Sequence, residues 1–361
     1  VVLDRLAQIY RCSVADLVAD FTDHGCGDDD GTEMDRRTFL AGVGGSLAAT
    51  LGRVNPPAIS PEVAGYFASQ LDAHWQADRT FGPHVLIDTV VPQCKTLLST
   101  VDVTRGRLHT ELLELATAYT GFLGWLYQDA GDLPSCSRWL AETLELAHRA
   151  GDPQLVAYAL TCKAMLRVDA GDGAGSVELA EAALADQVLS PKARVMALQQ
   201  AAHGRALTGD RASVDRLLDE MAELLDAIAA DEHPWGGDRL RRSPAHTVDV
   251  QQATCYGHLG LAEAAAEIWD RVGPQAPIED RRDRGVHLAR HAIALLDAGR
   301  PEDAARRAVE GAQHLQETGS ARMRRELRRL HDKTASWTRT PAGRELHDAL
   351  DTIAHRPTPW S

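Results

Sequence analysis

The chain has 361 residues, 44% apolar but only 5% aromatic, and a formal net charge of −14. So few aromatics argue against a β-sandwich core and for helix packed on helix, and the acidic balance argues against a body that lies along DNA. Six cysteines occur without a CxxC pair, and no apolar run reaches about 18 residues, which points to reduced thiols in the cytoplasm and no membrane span.

Residues 1–22 read as two short helices. Leu3, Leu6, Ile9 and Tyr10 share one face. Ser13 opens a second start, where its hydroxyl can accept a backbone N–H and Asp16 favours the helix N-terminus. Val14, Leu17, Val18 and Phe21 continue the apolar stripe. Residues 23–60 form an acidic linker and a connector. Asp28, Asp29, Asp30 and Gly31 lack the alternate spacing of a calcium loop, so this stretch, with His24 and Cys26, reads as solvated linker. Ser60 and Pro61 then suit the N-cap and first position of a helix.

Residues 61–107 give a helix pair at the start of a larger body. Val63, Tyr66, Phe67 and Leu71 line its first helix, and Val85, Leu86, Val90, Leu97 and Leu98 its second, with a kink expected at Pro92. Residues 108–320 hold one unit repeated. Turn glycines stand at 131, 171, 209, 260 and 299, a spacing of 40, 38, 51 and 39, in the range of helix-pair repeats. Seven residues before each turn glycine sits a small residue: Gly124, Ala164, Ala202, Ala253 and Ala292. A small side chain at a fixed phase lets two helices approach closely. The wider spacing holds an insertion at 231–244, read as an exposed loop that offers Trp235, Arg239, Arg241 and Arg242 as less favoured partner contacts. Residues 321–361 read as capping helices. Met323, Leu327 and Leu330 form one stripe, the arginines around them a solvated face, and Leu346, Leu350 and Ile353 point inward from a last helix after Pro341.

No HExxH, GxSxG or P-loop occurs, and Gly171–Gly175 joins two helices rather than following a strand. His287 and His291 are four apart, yet His291 falls on a core phase and no third ligand stands near. The expectation is a protein that is not an enzyme, with no metal and no cofactor.

Three resemblances add to this reading. The stretch Leu3–Leu17 resembles the last helices of the repressor/Cro-type helix-turn-helix domain, whose groove-reading helices would precede Val1. The repeat resembles the tetratricopeptide family. Leu123-Gly124, Tyr127 and Gly131-Asp132 carry that likeness in the first unit. Ala253, Tyr256, Gly260, Ala265, Trp269 and Pro277 carry it in the fourth, and Ala292, Leu295, Gly299, Pro301 and Ala304 in the fifth. Arg167 and Arg205 depart from it, standing where the family has tyrosine. Finally, Met34 to Ala49, with Arg36-Arg37 and Phe39-Leu40, resembles a twin-arginine export signal.

The order of parts resembles actinobacterial regulators that join a helix-turn-helix to a C-terminal repeat domain. That resemblance implies an all-α, right-handed α-solenoid of tetratricopeptide-like helix pairs, preceded by a short helix-turn-helix remnant. It implies a cytoplasmic homodimer that senses a peptide, a small molecule or a protein partner in its concave groove and touches DNA only through the preceding helices. By the same analogy the concave face carries Trp125, Gln128, Tyr158, Thr161, Met165, Gln199, His203, Thr254 and His258. The alternatives are a repeat scaffold without a DNA role and an exported repeat protein that starts at Met34.

Overall fold

A computed structural model describes residues 60–186, 188–228, 235, 244–273, 280–334 and parts of 341–351. The chain divides into two compact units, Val1–Gly65 and Tyr66–Ser361. The stretches read from the sequence as a helix-turn-helix remnant, a linker and a twin-arginine signal, together with Arg239, Arg241, Arg242, Pro277, Leu346 and Ile353, lie outside the described residues. All the described residues except 60–65 belong to the second unit.

Among the described residues there are thirteen helices and no strand, an all-α helical-repeat solenoid. They are α1 Glu62–Phe81, α2 Pro83–Val103, α3 Gly106–Ala130, α4 Leu133–Ala150, α5 Pro153–Asp169, α6 Gly173–Leu184, α7 Pro191–Leu207, α8 Arg211–Leu225, α9 Pro244–His258, α10 Ala262–Val272, α11 Arg281–Asp297, α12 Pro301–Thr318 and α13 Ala321–Thr334.

The five turns are built alike. Each turn glycine is left-handed, with φ between 75° and 87°, a conformation glycine enters without a Cβ penalty. The residue after each glycine donates its N–H back across the turn at 2.8–3.0 Å: Asp132 to Tyr127, Asp172 to Arg167, Asp210 to Arg205, Leu261 to Tyr256 and Arg300 to Leu295. In the first three turns that residue is aspartate, and its carboxylate also caps the next helix by accepting from Ser135, Gly175 or Ser213. One dipeptide thus ends one helix and starts the next. The departures at Arg167 and Arg205 have a local reason. Arg167 reaches the capping Asp172 at 3.3 Å, and Arg205 reaches Asp210 at 3.9 Å and Glu181 at 2.7 Å. In the fourth unit, the Tyr256 hydroxyl instead donates to Asp215 of the preceding unit.

The small-residue phase is the contact between paired and stacked helices. Ala164, Ala202, Ala253 and Ala292 are fully buried, and a Cβ on Gly124 would run into the Leu140 side chain of α4. The apolar core runs between neighbouring helices in this way, so much of the stability is a sum of nearest-neighbour interfaces. In the first pair Phe67, Leu71, Leu86, Val90 and Leu97 are buried as expected, whereas Tyr66 is exposed. Helix α2 runs on through Pro92.

The two ends of the stack meet. Gly82, at the turn between α1 and α2, sits against the backbone of Thr318, where a Cβ would strike the Thr318 carbonyl. Helix α13 buries Met323, Leu327 and Leu330 in the core shared by α9–α12. Arg328 and Arg329 are exposed, as the sequence suggested, but Arg322 and Arg325 turn toward Asp169 of α5. Trp235 corrects a second expectation. It is 1% exposed, packed against Tyr158 with ring centroids 5.1 Å apart and with Lys192 over its ring, so it is an interior anchor and not a surface contact.

Replacing Ala202 or Ala253 by leucine overpacks a helix contact and should lower unfolding free energy by about 1–3 kcal/mol. A denaturant midpoint unchanged by either exchange would contradict the close approach at this phase.

Candidate functional site

The inner side of the stack is polar and largely filled by its own chain. Asp78 of α1 and Arg282 of α11, 204 positions apart, form a fully buried ion pair. Trp125 Nε1–H donates to the same Asp78 carboxylate at 2.9 Å. The Trp125 ring carries two guanidinium groups, Arg282 at 4.5 Å and Arg322 at 4.9 Å from its centroid. Burial would lower the Arg282 pKa, but Asp78, Asp283 and Asp129 together hold it above its ordinary value, so the cation is retained. Arg79 adds a looser contact to Asp280 at 3.7 Å.

Two further carboxylates tie α13 and the residue before it to the first repeats. Ser320 donates to Asp129 of α3 at 2.6 Å. Burial pushes the Asp129 carboxyl up, against the pull of Arg282 and Arg322. Asp169 of α5 accepts from Gln128 and pairs with Arg325, each at 2.6 Å. Arg290 of α11 reaches Glu326 at 3.1 Å and the Thr254 hydroxyl at 3.3 Å.

Beside this network lies a cavity of about 150 Å³, partly open to solvent. Its wall takes residues from α3, α5, α7, α9, α11 and α13: Trp125, Met165, Gln200, His203, His287 and Arg322 among others. The first helix of every repeat pair therefore contributes, and α13 closes the far side. His203 shares a 2.9 Å hydrogen bond with Gln251. Burial, with His258, Arg290 and Arg322 nearby, pushes the His203 pKa down to about 3. Burial likewise pushes His287 down to about 3, opposed by Asp283 and helped by Arg290, His246 and Arg322. Both imidazoles are neutral near pH 7 and can donate or accept.

The nine residues expected on the concave face divide among several settings. Trp125, Met165, Gln199 and His203 line the cavity. Gln128 is used by Asp169, and Tyr158 is covered by Trp235. Thr161 is buried. Thr254 and His258 line a smaller pocket of about 30 Å³ beside Arg290 and Glu326. Burial lowers His258 to about 4, with Arg290 the next cause. The wall residues His246, Asp283, His287, Arg290 and Arg322 were not foreseen: His246 lies about two turns before Thr254 on α9, and the other four come from α11 and α13, which face the early repeats from across the stack. Among the described residues no group of three or more His, Cys, Asp or Glu could hold a metal. His291 instead contacts Asp270 at 3.2 Å, and Cys94, Cys136, Cys162 and Cys255 are buried free thiols pushed up to about 12 by burial.

In comparisons with known proteins, no family model and no curated protein matches the chain.

His203 and His287 have folded pKa values below the unfolded value of about 6.5, so the unfolded chain binds protons first. Their contribution is complete above about pH 6.5 and is lost as pH falls toward about 3. The melting temperature should fall over that window, and the His203→Gln/His287→Gln variant should fall less steeply. Parallel curves for the two proteins would show that these imidazoles are not buried neutral.

Proposed function

We propose that this chain is the signal-sensing body of a helix-turn-helix transcription regulator, and that its repeats belong with the tetratricopeptide type. The observation that carries the sensing role is the cavity whose wall draws on the first helix of every repeat pair and on α13. A molecule in that cavity touches all the units at once, so its binding energy bears on the curvature of the whole stack. A scaffold would be expected to offer an open groove to a partner; here the inner side is occupied by the chain's own ion pairs.

The link to DNA rests on the resemblance in residues 1–22 and on the D-R-R-T-F-L connector after it, where the order of parts matches such regulators. In this reading the repeats work as a cytoplasmic homodimer, and a change in curvature repositions the DNA-reading heads. No described helix is long and apolar enough to cross a membrane.

Immunoprecipitation of the natural protein from its own cells, with sequencing of the attached DNA, should enrich a small set of promoter segments. Recovery without any enriched segment would remove the regulator and leave the scaffold.

A further inference from the structure

The cavity also has a charge preference, and this inference rests on the sensing role just proposed. Its lining carboxylates are already engaged by neighbouring donors, whereas a lining guanidinium keeps a donor to spare. Asp169 already holds Gln128 and Arg325, each at 2.6 Å, and Asp283 is 3.3 Å from Arg282. By contrast, the nearest carboxylate oxygen to Arg322 is that of Asp169 at 3.9 Å, and the buried Arg322 Nε has no hydrogen-bond partner. Gln200 is 4% exposed and lines the cavity with its side-chain oxygen unbonded, an amide that can turn its NH₂ toward a guest. Buried polar groups in this condition are satisfied by a guest or by water.

We propose that the cavity receives a small organic anion bearing one carboxylate or phosphate group, held by Arg322 and Arg290 with His203, His287 and Gln200 completing its hydrogen bonds. The size is consistent: an engineered apolar cavity of about 150 Å³ takes a benzene-sized guest. Guanidinium groups present paired donors that match both oxyanions. The Trp125 ring beneath Arg322 fixes that guanidinium at 4.9 Å and offers an apolar edge for the body of the guest.

An anion here changes the protonation of its wall. Seen from His203 and His287, the charged and titratable neighbours are Arg290 and Asp283 on α11, Arg322 on α13, His246 and His258 on α9, and Gln251 as hydrogen-bond partner. The two arginines oppose protonation of both imidazoles in the free protein. A bound anion offsets them, so the complex takes up protons and affinity rises as pH falls.

Benzoate, inorganic phosphate and the uncharged benzamide serve as probes in titration calorimetry of the purified chain, at about pH 7.5 and about pH 5.5. Benzoate or phosphate should bind, about fivefold more tightly at the lower pH and with proton uptake visible as a buffer-dependent heat. Arg322→Gln should weaken binding at least about tenfold, and Arg322→Lys should restore part of it. His287→Gln should keep binding but lose part of the pH dependence. Unliganded melts of each variant separate a lost site from a lost fold. Benzamide binding as tightly as benzoate would overturn the charge preference while keeping a sensing pocket. Failure of all three probes, or anion binding untouched by Arg322→Gln, would overturn the site itself.

Discussion

The buried pair between Asp78 and Arg282 is the constraint on which the rest of this molecule depends. Two charges taken out of water cost several kcal/mol each, and their attraction offsets that only when the remaining hydrogen bonds are satisfied. Here the carboxylate takes a second donor from Trp125 Nε1 and the guanidinium lies on the face of the same indole, although the buried Arg282 Nε has no hydrogen-bond partner. The pair joins the first described helix to the eleventh. An open solenoid gains stability only between neighbours; this one also gains it between its ends. The residue beside the start of α13, Ser320, and Arg325 within it repeat the pattern against Asp129 and Asp169.

Closure follows from small local choices. Left-handed glycines make each turn tight, and alanine or glycine at the contact phase brings helices close. The inner faces are then forced together, so their polar side chains must find partners in one another rather than in water. Those that do become the ion-pair network. Arg322 and Gln200, each with one buried polar atom left without a partner, line the cavity. Since every unit touches that space, the chemistry of a guest and the geometry of the stack are tied, which is what a sensor needs.

Much of the fold was legible in the residues because its signals are local. Gly-Asp at the turns, Ala202 and Ala253 at the contact phase, and the Met323–Leu327–Leu330 stripe each declare themselves within a few positions. The site was legible in part. Met165, Gln199 and His203 follow from the repeat phase of the early units. In the fifth unit the positions equivalent to Gln199 and His203 are Ala289 and Ile293, both buried in the core. The cavity wall there comes from another stripe of α11, Asp283, His287 and Arg290, because that helix approaches from the opposite side. Trp235 was misjudged because a glycine- and proline-rich insertion reads as exposed, and only its contact with Tyr158 and Lys192 reveals otherwise. Nothing in a sequence marks Asp78 for Arg282; the pairing exists only once the stack has curved.

A double-mutant cycle on that pair is the most direct measurement. Unfolding free energies would be compared for the natural chain, Asp78→Asn, Arg282→Met and the combination. Each single change leaves a buried partner uncompensated and should cost about 3–5 kcal/mol, while the combined change should cost well under the sum, with a coupling of about 2 kcal/mol or more. Additive losses would mean that the two side chains do not meet in solution and that the ends of the stack stand apart.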